Sequence, residues 1–168
     1  MSTQSVSGVG YDTTLHVRDH CLCLHTLRAA RAIARRFDEA FRPLDLKSGQ
    51  FSLLMSLNRP EAPGLGEVAQ LLALDRTTLT ANLKPLERRG LVRVTRDDQD
   101  RRIRRLQLTE AGQVLLARAV PIWQAEQSRI EAALDGKADT LRDGLAALRT
   151  GAGTGTGAAA GAGEDPQG

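Results

Sequence analysis

The hydrophobic pattern of this chain changes period in its middle, and that change rules out most architectures. Up to Arg89 apolar residues recur at helical spacing. Past Gly90 they alternate, as Leu91-Val92-Arg93-Val94-Thr95, and after a charged stretch they alternate again, as Ile103-Arg104-Arg105-Leu106-Gln107-Leu108. A period near 3.6 is a helix with one buried face, and a period of two is a strand with one buried face. Two short strands joined only by Arg96 to Arg102 lack the length for a parallel crossover, so they pair as an antiparallel hairpin. A lone hairpin among helices excludes sandwiches, barrels and parallel α/β sheets.

The flanking segments read as helices with recognisable ends. Gly64 to Leu74 is a short helix, and Asp75 caps another that runs to about Arg89, where Gly90 supplies a left-handed stop. Pro85 lies inside that second helix and predicts a bend, or neighbours that satisfy the freed Ala81 carbonyl. Two short helices with a tight polar turn, followed by a basic hairpin, are the layout of a winged helix. Upstream, a long amphipathic helix is expected from about Leu15 to Phe41, with Cys23, Leu27, Ala30, Ile33, Phe37 and Phe41 on one buried stripe. Pro43 closes it, and Ser48 is the expected cap of a helix carrying Phe51, Leu54 and Met55. Downstream, Thr109 caps a helix from Glu110 to about Leu134 with Pro121 inside, and a last helix spans about Ala138 to Leu148. The expected fold is therefore mainly α: a winged helix-turn-helix lobe over about 48–109, with long helices over about 15–41 and 110–149. Residues 1–12 are expected as a disordered arm. The stretch 150–168, with seven of the sixteen glycines and no large apolar residue, is expected as a disordered tail.

Charge is concentrated where the hairpin lies. Between Lys84 and Arg105 nine cations face four anions, a surplus of five, where the whole chain has a surplus of three. A solvated charged face is the plain account of such a run. Its position on and before a hairpin that follows a helix-turn-helix favours a polyanionic partner, duplex DNA. There is no run of 18 apolar residues and no basic segment leading into an apolar one at the start, so neither a membrane span nor a secretory signal is expected, and a cytoplasmic location is. The chain shows no glycine-rich phosphate loop, no Gly-x-Ser-x-Gly and no two-site metal spacing, so neither an enzyme nor a cofactor is expected.

Four segments carry a family resemblance: Gln50-Phe51-Ser52-Leu53-Leu54, Leu86-Glu87-Arg88-Arg89-Gly90-Leu91-Val92, Arg96-Asp97-Asp98-Gln99-Asp100-Arg101-Arg102 and Leu106-Gln107-Leu108-Thr109-Glu110-Ala111-Gly112. Together they resemble the MarR-type family of bacterial transcription regulators. The family's wing signature, an Asp-x-Arg turn followed by Leu-Thr, is met by Asp100, Arg102, Leu108 and Thr109, and Asp98 stands where many relatives have proline. The resemblance implies a homodimer with intertwined first and last helices, presenting two winged helices to successive grooves of a palindromic operator. It also implies a repressor released by a small effector, often an aromatic or phenolic acid.

Turning Leu79, Leu83 and Leu86 inward places Thr77, Ala81, Lys84 and Arg88 outward, with Thr78 and Thr80 flanking. Thr77, Thr78 and Thr80 are the expected base-reading residues, and Arg76 and Lys84 the expected phosphate contacts. At the hairpin tip Arg102 is expected in the minor groove and Arg101 and Arg104 on the backbone, while Asp100 pairs with an arginine and holds the turn. Arg28, Phe37, Phe51, Met55 and Trp123 are candidates for an effector pocket, against core packing for the aromatic ones. His16, His20 and Cys23 share a helical face, with Cys21 and His25 on the other side. No metal site is expected, zinc on His16, His20 and Cys23 being the alternative. Cys23 lies roughly where the family's organic-hydroperoxide-sensing branch carries its reactive cysteine, but that branch's paired tyrosines are missing, Tyr11 being the single tyrosine. On one continuous helix Cys21 and Cys23 point apart, a poor geometry for a bridge.

Overall fold

The computed structural model describes residues 8–151. The order of elements is α1 (Tyr11–His20), α2 (Leu22–Ala40), a 3-10 turn (Arg42–Leu44), α3 (Ser48–Leu57), α4 (Leu65–Leu71), α5 (Arg76–Arg88), β1 (Val92–Arg96), β2 (Arg104–Leu108), α6 (Glu110–Ala132) and α7 (Ala138–Gly151). The chain divides after Glu126 into two compact units, and α6 runs through the division. Residues 1–7 of the expected arm and 152–168 of the expected tail lie outside the described residues; Tyr11 and Asp12 belong to α1, and α7 extends to Gly151.

The single helix expected from Leu15 to Phe41 is two. Cys21 leaves the helix at φ −71, ψ 106 and becomes the N-cap of α2. The break is tolerated because the freed groups find partners. Cys21 Sγ accepts from the Leu24 amide at 3.5 Å, and the His25 ring donates to the Asp19 carbonyl at 3.1 Å. Burial of α2 is also confined to its end: Phe37 and the following Phe41 are inside, whereas Cys23, Leu27 and Ile33 are exposed in the single chain.

The other helix ends follow from local side chains. At α3 the capping residue is Lys47 rather than Ser48. The Gln50 carbonyl oxygen accepts from the Lys47 amide at 3.0 Å, and the Ser48 amide donates to Asp38 at 2.7 Å. Asp75 caps α5 by accepting the Thr78 amide at 2.8 Å, and Gly90, at φ 68, ends it. The helix continues through Pro85, and Ala81, whose carbonyl Pro85 cannot serve, is exposed to water.

β1 and β2 pair antiparallel, Val92 opposite Leu108 and Arg96 opposite Arg104. The hairpin is pinned at the middle of β2 and at its base. The Leu106 amide donates to Pro63 O at 2.9 Å, and the Thr109 hydroxyl donates to Gly90 O at 2.7 Å while accepting the Gly112 amide at 3.1 Å. The innermost side chains are Phe41, Leu46, Leu53, Leu54, Val68, Leu79, Leu86 and Leu106, which join α3, α4, α5 and the hairpin into one core. An aromatic file, Phe37, Phe41, Phe51 and Trp123, with neighbouring centroids 5.9, 4.8 and 6.4 Å apart, runs from α2 to α6.

Candidate nucleic-acid interface

α5 is built to show one face. Leu79, Leu83 and Leu86 are buried, and Arg76, Thr77, Thr78, Ala81, Lys84 and Arg88 are exposed, with Thr80 half-buried. The threonines differ in what they have to offer. The Thr78 hydroxyl donates to Asp75 Oδ2 at 2.6 Å and the Thr80 hydroxyl to Arg76 O at 2.7 Å, so each can only accept from a partner. Thr77 makes no side-chain hydrogen bond among the described residues and can do both. The hydroxyl and amide bonds from Thr78 hold the Asp75 carboxyl below the usual carboxylate range, keeping the cap charged at the start of the helix.

The hairpin tip is organised around Asp97, a residue that motif reasoning passed over. Its Oδ1 accepts the amides of Gln99 and Asp100, both at 2.9 Å, and its Oδ2 accepts Arg105 Nε at 2.6 Å. These bonds hold the Asp97 carboxyl below its ordinary range, that of the Asp100 amide first and that of Arg105 next. Asp100 holds the turn as expected but does not pair with an arginine side chain among the described residues. It braces the turn by accepting the Arg102 amide at 2.9 Å, and the arginine that pairs with a tip carboxylate is Arg105, on Asp97. A signal existed in the sequence: an aspartate opening a turn, able to accept the amides two and three residues on, is an Asx-turn.

Around this frame the cations converge. Arg96, Arg101, Arg102 and Arg104 line a cleft of about 560 Å³ with Glu87, Val94 and Thr95. A second cleft, of about 300 Å³, lies between the start of α4 and the tip, and Arg76 from α5 lines it together with Arg102, Arg104 and Glu67. Residues far apart in sequence thus form one cationic surface over two elements.

The expected effector residues separate. Phe51, Met55 and Trp123 line an apolar cleft of about 430 Å³ with Ser52, Ser56, Leu71, Leu72 and Val120, none of them charged. Phe37 does not line that cleft: it is buried and stacks on Phe41, and Arg28 lies with Arg31, Ala32 and Arg35 along another cleft on α2. His16 and His20 stack with centroids 4.3 Å apart, the His20 ring donating to His16 O, and Cys23 lies beyond the break on α2. Among the described residues no group of three or more His, Cys, Asp or Glu is placed to hold a metal, and no helix is long and apolar enough to cross a membrane.

Three helices closed by a pinned, arginine-lined hairpin define a winged helix-turn-helix protein of the DNA-binding regulator class. Residues 46–103 match the MarR family. The chain is 31% identical over 129 residues, covering 73% of itself and 82% of the relative, to an uncharacterised HTH-type transcriptional regulator, YybA, of Bacillus subtilis (strain 168). It is 30% identical over 101 residues, covering 60% of itself and 69% of the relative, to an organic hydroperoxide resistance transcriptional regulator of the same organism. In structure it resembles the M. tuberculosis transcriptional regulator MosR solved with DNA, with a TM-score of 0.73, 37% identity, and coverage of 79% of this chain and 96% of that one. The chain belongs to the MarR family of transcriptional regulators.

Proposed function

We propose that the protein is a repressor that grips a palindromic operator as a homodimer, one winged helix per half-site. α5 enters the major groove, where Thr77 bonds base edges as donor or acceptor, Thr78 and Thr80 accept, and Arg76 and Lys84 hold phosphates. Arg102 reaches the adjacent minor groove, flanked on the backbone by Arg101 and Arg104. The observation that carries this reading is that Arg76, Arg102 and Arg104 line one cleft, because cations from helix and hairpin there border the same open surface. Dimerisation is supported by apolar residues uncovered in the single chain, Leu27 and Ile33 on α2, and Leu141, Leu145 and Leu148 at helical spacing on α7. The reading makes it a cytoplasmic, non-enzymatic protein. Its effector is a small aromatic compound held against Phe51, Met55 and Trp123, which lowers operator affinity by favouring a different half-site separation. The test is a salt-controlled anisotropy titration of the chain's own upstream duplex. Arg102→Ala should weaken specific binding by about 5- to 150-fold, the range for a good base contact. Unchanged affinity refutes the minor-groove role.

A second reading concerns what releases the DNA. Cys21 caps α2 from outside it, so the two cysteines do not stand on one continuous helix, and Cys23 is exposed in the single chain. The hydroperoxide-resistance relative favours an oxidant as the signal. A peroxide would be reduced to alcohol and water as the two thiols close into a disulfide. Intact-mass analysis after peroxide treatment should then show a loss of about 2 Da, absent in Cys21→Ser, together with loss of operator binding. Oxidation without release would refute it.

A further inference from the structure

The hairpin connection from Asp97 to Ile103 is longer than the two to five residues of common hairpin loops, so its shape depends on added bonds. Three of the six that hold it pass through one carboxylate. Asp97 Oδ1 accepts two successive tip amides and Oδ2 accepts Arg105 Nε, while the Asp97 amide donates to Ile103 O at 3.0 Å and the Ile103 amide to Asp100 O at 2.9 Å. The guanidinium continues the path. Arg105 Nη1 donates to Ala62 O at 3.2 Å, on the segment leading into α4, and stands 3.9 Å from Glu67 Oε1 within α4. The same strand is bridged to Gly64 and bonded to Pro63 O. The tip is therefore tied through two side chains to the helix-turn-helix.

We infer that Asp97 and Arg105 are positioning residues: without touching DNA, they hold the tip in register with α5, so that Arg102 and Arg76 address one half-site together and discrimination between operator and other DNA depends on them. The inference rests on the proposed docking of the wing. Its physical basis is that phosphate attraction tolerates a loosely held tip, whereas base and groove readout does not. Asn at 97 keeps an oxygen for the two amides and loses the charge facing Arg105; Lys at 105 keeps the charge and loses the fork that spans Asp97 and Ala62.

The experiment uses the full chain with Asp97→Ala, Asp97→Asn, Arg105→Lys and Arg102→Ala. It measures backbone amide exchange at Gln99 and Asp100 in free protein, and binding to operator and scrambled duplexes at several salt concentrations. Asp97→Ala should speed exchange at both amides by about tenfold or more while the global melting temperature stays close to wild type. It should weaken operator binding by about tenfold, leaving scrambled-duplex affinity and the salt slope within about twofold of wild type. Asp97→Asn should restore most of the exchange protection and only part of the specificity, and Arg105→Lys should lose specificity with the amides still protected. Unchanged exchange in Asp97→Ala overturns the tie. Faster exchange with parallel losses on both duplexes overturns the specificity role. Wild-type binding by Arg102→Ala overturns the wing docking itself, and the amide data then identify that as the cause.

Discussion

Gly112 offers a sharp test of how the hairpin base is packed. A Cβ at this position would stand 2.2 Å from Leu91 O and 2.8 Å from Leu108 Cδ1. Leu108 can turn aside, but Leu91 O is backbone and accepts the Thr109 amide at 3.1 Å. A methyl needs about 1 Å more room, since close carbon contacts lie near 3.5 Å. The first turn of α6 must therefore slide, weakening the Thr109 to Leu91 and Gly112 to Thr109 hydrogen bonds together. Overpacking costs about 2 kcal/mol, and two hydrogen bonds about 2 kcal/mol more. The gain of Ala over Gly in a helix returns about 1 kcal/mol. Gly112→Ala should thus lose about 3 kcal/mol, a fall of roughly 10 °C in Tm for a chain this long. Gly49, in the first turn of α3, has nothing within 4 Å of its Cβ position, and the same change there should gain up to about 0.5 kcal/mol. Both are read by denaturant unfolding at one protomer concentration, because dimerisation makes the midpoint depend on concentration. A Gly112→Ala protein as stable as wild type, or a Gly49→Ala protein equally damaged, refutes the packing argument.

Other outcomes follow from the interface. Lys84→Ala should reduce the slope of log affinity against log salt by about one unit per protomer, and titrations between 50 and 300 mM salt check it. Asp75→Ala removes the cap of α5, so amide exchange at Thr78 should rise on the order of tenfold and operator affinity fall, with Asp75→Asn recovering much of both. The carboxyls of Asp75 and Asp97 are depressed in the folded chain, so their stabilisation is fully present above the ordinary carboxylate value near 4 and is lost as pH falls through the lower folded values. Unfolding midpoints between pH 6 and 2.5 should decline on that acid limb, and Asp75→Asn with Asp97→Asn should flatten it.

Much of this could be read from short-range pattern because its causes are short-range. Asp75 and Thr109 cap amides three residues on, and Gly90 relieves a backbone strain that belongs to its own φ, so spacing alone locates these ends. Alternation likewise located the hairpin, and the charge count located its cations. The break at Cys21 escaped because helical periodicity carries across one extended residue whenever the apolar spacing resumes beyond it. The separation of Arg28 from Phe51 and Trp123 escaped because nothing local says which neighbour a helix face meets.

Residue order therefore dictates the winged-helix class, the element ends and the sign of the exposed charge, since each arises from neighbours within a few positions. Which arginine pairs with the tip aspartate and anchors it, and that Gly112 must lack a side chain, were decided by packing. In those contacts Asp97 reaches Ala62 through Arg105, and Gly112 meets Leu91, groups brought together only when the core closes.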